Sequence, residues 1–308
     1  MLIQKFGGSS LVSLKGFLAA AGIISDAASD EKVIVVLSAV YGITDLLEKA
    51  ITTAVEGGDF RVVLNSVRDK QQEILHEMQA AGLSCPTATA FLPEQQKRLG
   101  SRLEGAALLE QCPPQARAEI LSAGEGFSSR LMCDLLQAQG HPARWSDTDV
   151  LPPANDSYND SLVDIEAAGP LLQQALSGEH SILVLPGFYG RNAAGRPQLM
   201  GRNGSDYSAA AVAAALKARS LQIWKDVDGF FTADPGIVAS AKCLEEASYE
   251  EAMELSFFGA RVISAKALTP LMSAGIPCEI RNTYHPELAG TLIHANTRKP
   301  AVVRGISH

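Results

Sequence analysis

The sequence lacks three patterns that mark large classes of proteins. Its five cysteines form no Cys-x-x-Cys pair and are odd in number. Zinc sites need closely paired ligands and disulfide frameworks usually need an even count, so we expect reduced thiols in a cytoplasmic protein. Apolar runs such as Val33–Leu37 and residues 182–185 are far too short to span a bilayer. No basic segment precedes a long apolar stretch near residue 1, so we expect no signal peptide.

Clustered positive charge is also absent. Lys and Arg number 26 against 34 Asp and Glu, which gives a formal net charge of -8. Phosphate backbones demand clustered Lys and Arg, so nucleic-acid binding is excluded as the main function. A hydrophobic fraction of 46% over 308 residues instead describes a globular protein, either one large α/β domain or two smaller ones.

Several catalytic motifs are missing as well. There is no G-x-S-x-G elbow, no H-E-x-x-H, no G-x-x-x-x-G-K-[ST], and no G-x-G-x-x-G after the first strand. These absences exclude serine hydrolases of that type, zincins, P-loop NTPases and Rossmann-type dinucleotide binders. The D-V-D-G run at 226–229 lacks the spaced oxygen ligands of an EF-hand, so calcium is a poor explanation for it.

What the sequence does contain is an alternation of short β-branched runs with longer helical patterns, which predicts βαβ units and a mainly parallel sheet covered by helices. We expect strands at 2–5, 32–38, 143–145, 181–185, 221–224, 278–281 and 291–293. We expect helices near 14–28, 43–55, 162–176 and 205–218, and a glycine-bearing hairpin through 189–200. The pattern of residues 60–140 predicts a helical insertion that is interrupted near 85–93. We expect the chain to form two lobes divided near residue 180.

Four glycine-bearing segments stand at the ends of predicted strands, where open α/β sheets bind ligands. They are KFGGSS at 5–10, SAVYGITD at 38–45, PGFYGR at 186–191 and GRNGSDYS at 201–208. Each alone is a weak signal, because short glycine loops after strands are mostly ordinary turns. In the last segment the amides of Ser205 and Asp206 begin a helix and would favour an anion, while Arg202 could pair with a carboxylate. The competing interpretation makes Ser205 or Asp206 a simple N-cap.

Two further segments leave alternatives open. Glu125, in SAGEGFSS, is either exposed on a polar helix face or directed into a site. In IWKDVDGFFTADPG at 223–236, a strand ends in acidic turn residues against which a purine could lie. Asp226 and Asp228 are also typical turn formers.

Taken in order, these segments together with EAMELSFFGARVI and IPCEIRNTYHPELAGTLI resemble the aspartokinases, most strongly the kinase module of bifunctional aspartokinase–homoserine dehydrogenases. The resemblance covers residues 1 to about 293. It implies the three-layer αβα amino-acid kinase fold with a mostly parallel eight-stranded sheet. It also implies a catalytic domain over 1–295, with an aspartate lobe up to about 180 and a nucleotide lobe from about 181.

The resemblance also implies an activity, the transfer of the ATP γ-phosphoryl group to the side chain of L-aspartate, and a role for each matching residue. Lys5 would reach the transferring phosphoryl group, Asp206 would organise that lysine, and Mg²⁺ would arrive with ATP. Gly7, Gly8, Ser9 and Arg261 would bind phosphate, and Lys225, Asp226 and Phe231 the nucleotide. The residues matching the aspartate pocket are Ser38, Thr44, Glu125, Phe188, Arg202 and Ser205, with Glu125 on the α-ammonium and Arg202 on a carboxylate. A homodimer is the expected assembly.

The departures from the family pattern concentrate in the nucleotide half. Lys225 stands where Thr is usual, Phe231 where Tyr is usual, and Gly236 replaces the arginine of D-P-R. Arg261 replaces the lysine of G-A-K-V, and a planar guanidinium is not a compact ammonium. We therefore expect weaker or altered nucleotide binding beside an intact aspartate pocket.

Two alternatives to aspartate kinase activity stay open. In the first, the chain is a degenerate kinase domain that serves as a regulatory or interaction subunit. In the second, it is a kinase of the same fold that acts on another amino-acid carboxylate. Residues 296–308 resemble the entry into a regulatory region, so we expect either a protein without effector-binding domains or a truncated module.

Overall fold

The computed structural model describes residues 1–257 and 262–295 of the chain. Within these residues the strands are β1 Leu2–Phe6, β2 Val33–Leu37, β3 Ala143–Trp145, β4 Ile182–Pro186, β5 Tyr189–Arg191, β6 Pro197–Leu199, β7 Ser220–Lys225, β8 Glu246–Ala247, β9 Cys278–Asn282 and β10 Thr291–Ile293. The helices are α1 Leu14–Ala28, α2 Ile43–Val55, α3 Phe60–Ala80, α4 Pro86–Leu109, α5 Pro114–Leu121, α6 Ala123–Ala138, α7 Ile165–Ala175, α8 Gly204–Leu216, α9 Tyr249–Phe257 and α10 Ala265–Ala274. None of these helices combines the length and apolarity that crossing a bilayer requires.

Eight strands form one sheet in the order β3-β4-β2-β1-β7-β9-β10-β8, which confirms the predicted mostly parallel eight-stranded sheet. β9 and β10 are its antiparallel neighbours. β5 and β6 pair separately as the predicted hairpin. The sheet runs without a break past residue 180, and β4 lies between β3 and β2. The division into two lobes therefore stays a prediction.

The sheet is covered on both faces, as the three-layer prediction requires. Successive side chains of a strand point to opposite faces, and all five residues of Val33–Leu37 are buried. One face of the sheet packs on α1 to α6 through side chains such as Phe6 and Val35. The other face packs on α7 to α10 through side chains such as Ile3 and Ile34. The helical insertion thus thickens one layer only.

The predicted helix interruption near 85–93 is wrong in its position. The break lies before Pro86, which is the first residue of α4, and Pro93 lies inside that helix. Proline is tolerated at the first helical position because the N–H it lacks has no intrahelical acceptor there. Residues 246–274 also contain β8, α9 and α10, for which the sequence pattern gave no assignment.

Asp134 of α6 connects two helices of the insertion, α4 and α6. Its side chain is 1% exposed. One carboxylate oxygen accepts from the Thr87 hydroxyl at 2.6 Å and the other from the Ala88 amide at 2.9 Å. The carboxylate therefore satisfies a backbone donor at the start of α4, where helical N–H groups lack intrahelical partners. It holds α4 against the helix that carries Glu125.

We expect Asp134→Ala to lower the free energy of unfolding by about 2–3 kcal/mol, because a buried donor loses a charged acceptor. Asp134→Asn keeps one acceptor and should lose about 1 kcal/mol. Asp69→Ala, at an exposed acid of α3, is the control and should stay within about 0.5 kcal/mol of the parent. Chemical denaturation measures all three. Equal stability of the Asp134→Ala and Asp69→Ala proteins would contradict the connecting role of Asp134.

Candidate active site

The glycine-bearing segments predicted from the sequence converge at one edge of the sheet. β4, β2, β1 and β7 are neighbours and run parallel. Their carboxyl ends therefore lie side by side. Gly7 follows β1, Ser38 follows β2, Gly187 follows β4, and Asp226 follows β7. The first turn of α8 completes this edge, since Asn203, Gly204 and Ser205 line the same cleft.

A cleft of about 1000 Å³ opens at this edge. It is lined by all the residues predicted for the aspartate pocket, namely Ser38, Thr44, Glu125, Phe188, Arg202 and Ser205. An adjoining cavity of about 290 Å³, the phosphate end, is lined by residues with three predicted roles: Lys5 and Asp206 in catalysis, Gly7, Gly8 and Ser9 in phosphate binding, and Lys225 and Asp226 in nucleotide binding. Six residues line both spaces, so the two cavities are contiguous. The sequence-based prediction thus collects residues that the fold brings together.

Several polar groups of the cleft make no hydrogen bond or ion pair with the described part of the chain. The Arg202 guanidinium is exposed and unpaired. The hydroxyl groups of Ser38, Thr44 and Ser205 are likewise uncommitted. Polar groups inside folded proteins are normally paired, so a set of uncommitted groups around one space indicates a polar ligand.

Glu125 is the buried acid of the cleft. It lies in the first turn of α6 and is 3% exposed, and its Oε2 has no hydrogen-bond partner among the described residues. Burial raises the pKa of the Glu125 carboxyl to about 8, against the opposing effect of hydrogen bonds from the backbone of Ala39 and of Glu125 itself, and of the positive charge of Lys5. Of the two alternatives left open by the sequence, the side chain directed into a site is the one observed.

Backbone strain concentrates at the same cleft. Phe188 and Asn203 are two of the four non-glycine residues with positive φ in the described chain, at 72° and 56°. Such conformations are costly for residues with a Cβ and persist where surrounding contacts enforce them. The Phe188 N–H donates to the Ser208 hydroxyl at 2.9 Å, and the Phe188 carbonyl accepts from Met200 at 2.8 Å. Asn203 precedes α8, so the N-cap is neither Ser205 nor Asp206.

Three buried charges form a cluster at the phosphate end. One carboxylate oxygen of Asp206 lies 2.5 Å from the Lys5 ammonium, and the other lies 3.2 Å from the Lys225 ammonium. Lys225 also donates to the Val262 carbonyl. The Lys5 and Asp206 side chains are 6% and 3% exposed, and that of Lys225 is 16% exposed. Two ammonium groups share one carboxylate, so the cluster has a net charge of +1.

The pKa values of the cluster follow from this sharing. Burial lowers the pKa of the Lys5 ammonium, and the nearby charge of Lys225 adds to that effect against the attraction of Asp206. Burial alone would raise the pKa of Asp206, but the attraction of Lys225 and Lys5 outweighs it and lowers the pKa. The carboxylate is therefore held ionised between two cations.

The turn after β1 forms one wall of this cavity. The Gly7 N–H donates to the Trp224 carbonyl at 3.1 Å, so the Gly7 amide is committed to the backbone of β7. This narrows the predicted phosphate-binding amides to those of Gly8 and Ser9. A Cβ on Gly8 would lie 2.9 Å from the Ala39 carbonyl oxygen, so the approach of this turn to the end of β2 requires glycine. The Ser9 hydroxyl donates to Asp226 at 2.8 Å.

Two predicted site residues are not placed in either cavity. Phe231 forms a β-bridge with Cys243 and lines neither space. Arg261 lies outside the described residues. Within the described residues, no group of three or more His, Cys, Asp and Glu side chains is arranged to hold a metal ion.

The cleft also contains residues that the sequence-based prediction missed. Tyr41 and Asn203 line it from within two of the quoted motifs, where their proximity to glycine was the available signal. Asn159 and Arg117 line it from segments without any motif. Arg117 forms an ion pair with Glu48. Their position follows from tertiary packing alone.

Known proteins resemble this chain in both sequence and structure. The model of the amino acid kinase family matches residues 1–282. The bifunctional aspartokinase/homoserine dehydrogenase of Buchnera aphidicola (subsp. Acyrthosiphon pisum) is 34% identical over 316 residues, covering all of this chain and 38% of that protein. The lysine-sensitive aspartokinase 3 of Escherichia coli is 32% identical over 314 residues, covering all of this chain and 67% of that protein. The crystal structure of E. coli aspartokinase III with aspartate and ADP has a TM-score of 0.88 at 31% identity, over all of this chain and 67% of that one.

We expect Asp206→Asn to lower the free energy of unfolding by about 3 kcal/mol at pH 7, because it leaves two buried ammonium groups without a counter-charge. Since the folded-state pKa of Asp206 is lowered, its stabilising effect is present above the usual pKa of aspartate and disappears as the pH falls through the folded value. The difference between the two proteins should therefore shrink on acidification below about pH 4.

The double variant Asp206→Asn/Lys225→Met removes one of the stranded cations and should regain more than half of the lost stability. Lys225→Met alone is the matched control and should lose less than Asp206→Asn, because Asp206 keeps Lys5. Urea denaturation of the four proteins measures these differences. A double variant no more stable than Asp206→Asn would rule out the shared carboxylate.

Proposed function

Because this chain belongs to the amino acid kinase family and, within it, to the aspartokinases, we propose that it transfers the γ-phosphoryl group of ATP to the side-chain carboxylate of L-aspartate. The product would be 4-phospho-L-aspartate. The observation that carries the proposal is the cleft itself, in which uncommitted Arg202, buried Glu125 and three free hydroxyl groups lie beside the Lys5–Asp206–Lys225 cluster. The chain spans 38% of the length of the first two curated relatives it matches, so the activity of those whole proteins is not carried over with the family.

The charges of the cleft suit an amino acid with two carboxylates. Arg202 would bind one carboxylate, since a guanidinium presents a fork of N–H donors that matches it. Glu125 would bind the α-ammonium, because its Oε2 has no partner within the described chain. Ser38, Thr44 and Ser205 would supply further hydrogen bonds. These contacts would leave the second carboxylate directed toward the phosphate end.

The phosphate end supplies positive potential rather than covalent chemistry. A carboxylate must attack a phosphoryl group that is itself anionic, so catalysis depends on positioning and charge neutralisation. Lys5 would stabilise the transferring group, and the Gly8 and Ser9 amides would bind the neighbouring phosphate oxygens. Lys225 brings a second ammonium to the same cavity, which supports a contact with the phosphates rather than with the purine. Asp206 would keep both lysines in position.

Magnesium would enter with the nucleotide. The described residues hold no cluster of three acidic or histidine ligands, so the phosphates of ATP would provide most of its ligands. The carboxylate of Asp226, which is exposed and lines both cavities, is the protein group that fits a role beside it. Bound Mg²⁺ would supply neutralisation of phosphate charge.

The proposal also includes that the reaction is the first step of a lysine, threonine and methionine pathway, and that the protein is a cytoplasmic homodimer. It further includes that the substitutions at 225, 231, 236 and 261 weaken nucleotide binding. Their support is the motif pattern of the sequence.

Purified protein with ATP, Mg²⁺, L-aspartate and hydroxylamine tests the proposal, because hydroxylamine traps an acyl phosphate as a hydroxamate. We expect aspartate-dependent hydroxamate. Product only with another amino acid would instead identify a kinase of the same fold with a different acceptor. No product with any amino acid, in a folded protein, would favour a regulatory or interaction subunit.

In this assay Lys5→Met should lower kcat by about 10²–10³-fold, since it removes a charge aimed at the transferring group. Lys15→Met, at an exposed lysine of α1, is the matched control and should keep the parental rate. Aspartate binding measured separately should survive in the Lys5→Met protein. A kcat unchanged by Lys5→Met would remove Lys5 from the mechanism.

The raised pKa of Glu125 predicts that aspartate binding releases a proton. With a pKa of about 8 in the free protein, the carboxyl is mostly protonated at pH 6.5, and an α-ammonium beside it favours the ionised form. Calorimetry at pH 6.5 in two buffers of different ionisation enthalpy should therefore show the release of up to about one proton, fading as the pH rises above 8. Identical heats in both buffers would contradict this.

Glu125→Gln should abolish the proton release and weaken aspartate binding about tenfold or more, because it removes a charge-assisted hydrogen bond. Asp45→Asn, at an exposed acid of the same cleft, is the control and should retain the proton release.

A further inference from the structure

The first turns of α6 separate the cleft from a second cavity, which the proposed reaction does not use. Glu125 lines the cleft, whereas Ala123, Gly126 and Arg130 of the same helix line this second space of about 100 Å³. Its other walls come from one face of α4, from α5, and from β5. At about a tenth of the volume of the cleft, it is suited to a very small ligand and not to a nucleotide.

The charge of this cavity is opposite to that of the chain as a whole. The lining contains four arginines, Arg98, Arg102, Arg130 and Arg191. It contains two acids, Glu119 and Asp147. Four positive and two negative side chains leave a local charge of +2, in a protein whose net charge is -8. The cavity therefore favours an anion.

Two of the four arginines are neutralised by the acids. Arg191 lies 3.0 Å from Asp147, whose other oxygen accepts from the Tyr189 hydroxyl at 3.1 Å. Arg102 lies 2.6 Å from Glu119. The positive charge that remains belongs to Arg98 and Arg130.

Arg130 presents only its edge to a ligand. Its guanidinium carbon lies 4.1 Å from the centre of the Phe91 ring and 3.7 Å from that of Trp145. One N–H donates to the Gly126 carbonyl at 2.8 Å, and no carboxylate of the described residues forms an ion pair with it. Burial lowers the pKa of Arg130 and outweighs the opposing effects of Tyr189 and Asp147, so the charge is costly where it lies. The unused N–H groups lie along the edge of the guanidinium, where a carboxylate or phosphate oxygen binds.

Gln95 restricts the ligand further. Its amide nitrogen donates to the Ala123 carbonyl at 2.6 Å, and this contact fixes which end of the amide is the oxygen. The residue is only 4% exposed, and its side-chain oxygen is buried without a hydrogen-bond partner in the part of the chain that the structure describes. A ligand that satisfies this acceptor must bring a donor. An oxyanion without a hydroxyl group would leave it unpaired.

We propose that this cavity binds a small oxyanion that carries a hydroxyl group, of the hydrogenphosphate or hydrogencarbonate class. Arg98 and Arg130 neutralise its charge, and the Gln95 oxygen accepts its O–H. The site is separate from the proposed kinase reaction and does not depend on it.

Trp145 provides a direct probe, because its ring lies against Arg130. The chain has two tryptophans, and Trp224→Phe leaves Trp145 as the only emitter. The Trp224 N–H is buried without an acceptor, so this substitution leaves no acceptor unpaired. In that protein we expect titration with inorganic phosphate to change Trp145 emission saturably, with a dissociation constant of about 1 mM or below. Sulfate, which has no proton at neutral pH, should bind several-fold more weakly.

Variants in the Trp224→Phe background locate the ion. Arg130→Gln should weaken phosphate binding by about tenfold or more, and Arg98→Gln by several-fold. Arg98 is exposed and unpaired, so Arg98→Gln tests the site in a protein whose packing is unchanged. Arg68→Gln, at an exposed arginine of α3, is the control and should bind as the parent does. Lys5→Met should also leave the response unchanged, which separates this site from phosphate bound in the cleft.

Titration with bicarbonate distinguishes the two ligand classes. The site is supported if either ion produces a response and if Arg98→Gln and Arg130→Gln weaken that response. The proposal is overturned if neither ion produces a saturable response. It is equally overturned if the response is unaffected by both arginine substitutions, or is lost in the Lys5→Met protein, since the ion would then bind elsewhere.

Discussion

The ion pairs that Asp206 forms with Lys5 and Lys225 are the constraint on which the rest of the site depends. The three residues come from α8, β1 and β7, so this carboxylate determines how the first turn of a helix is seated over two neighbouring strands. Burying one charge is costly unless it is paired, and burying three is tolerable only when they alternate in sign. The neighbouring strand ends, with Gly8 and Ser38, are arranged around this cluster.

The two contiguous cavities differ in charge. At the phosphate end one positive charge is left over, which an anionic phosphoryl group would neutralise. At the other end Glu125 is held largely in its neutral form by burial, so its carboxyl adds little negative charge to the cleft before an amino acid is bound. In the proposed reaction, the α-ammonium of bound aspartate would restore the negative charge of Glu125. The proposed order of charges thus arises from burial and not from additional residues.

Much of the fold can be predicted from the local sequence pattern, and the errors of that prediction have local causes. Buried runs such as Val33–Leu37 and the Ala-rich α8 predict their own structure, because a strand buried on both faces and a helix with small residues leave few alternatives. Pro93 was misread because its exposed position in α4 tolerates a missing backbone bond that sequence alone counts as a break. β8, with two residues, is too short for any periodicity to reveal.

The same distinction applies to the site: residues within local motifs can be predicted from the sequence, whereas residues placed by tertiary contacts cannot. Lys5, Arg202 and Ser205 were found because each lies in a glycine motif whose backbone geometry serves the site. Phe188 adopts a positive φ that sequence statistics do not predict for an aromatic residue, so only its motif indicated it.

The contact between Lys225 and Asp206, by contrast, joins the end of a strand to a helix 19 residues earlier, and no spacing rule connects them. The arginine cavity is more extreme. On α4, Gln95, Arg98 and Arg102 follow the spacing of an ordinary solvated helix face. That they line one cavity appears only when Arg130 and Arg191 are brought opposite them by other elements. Residues whose role rests on tertiary complementarity leave no local trace, and a structure is needed to identify them.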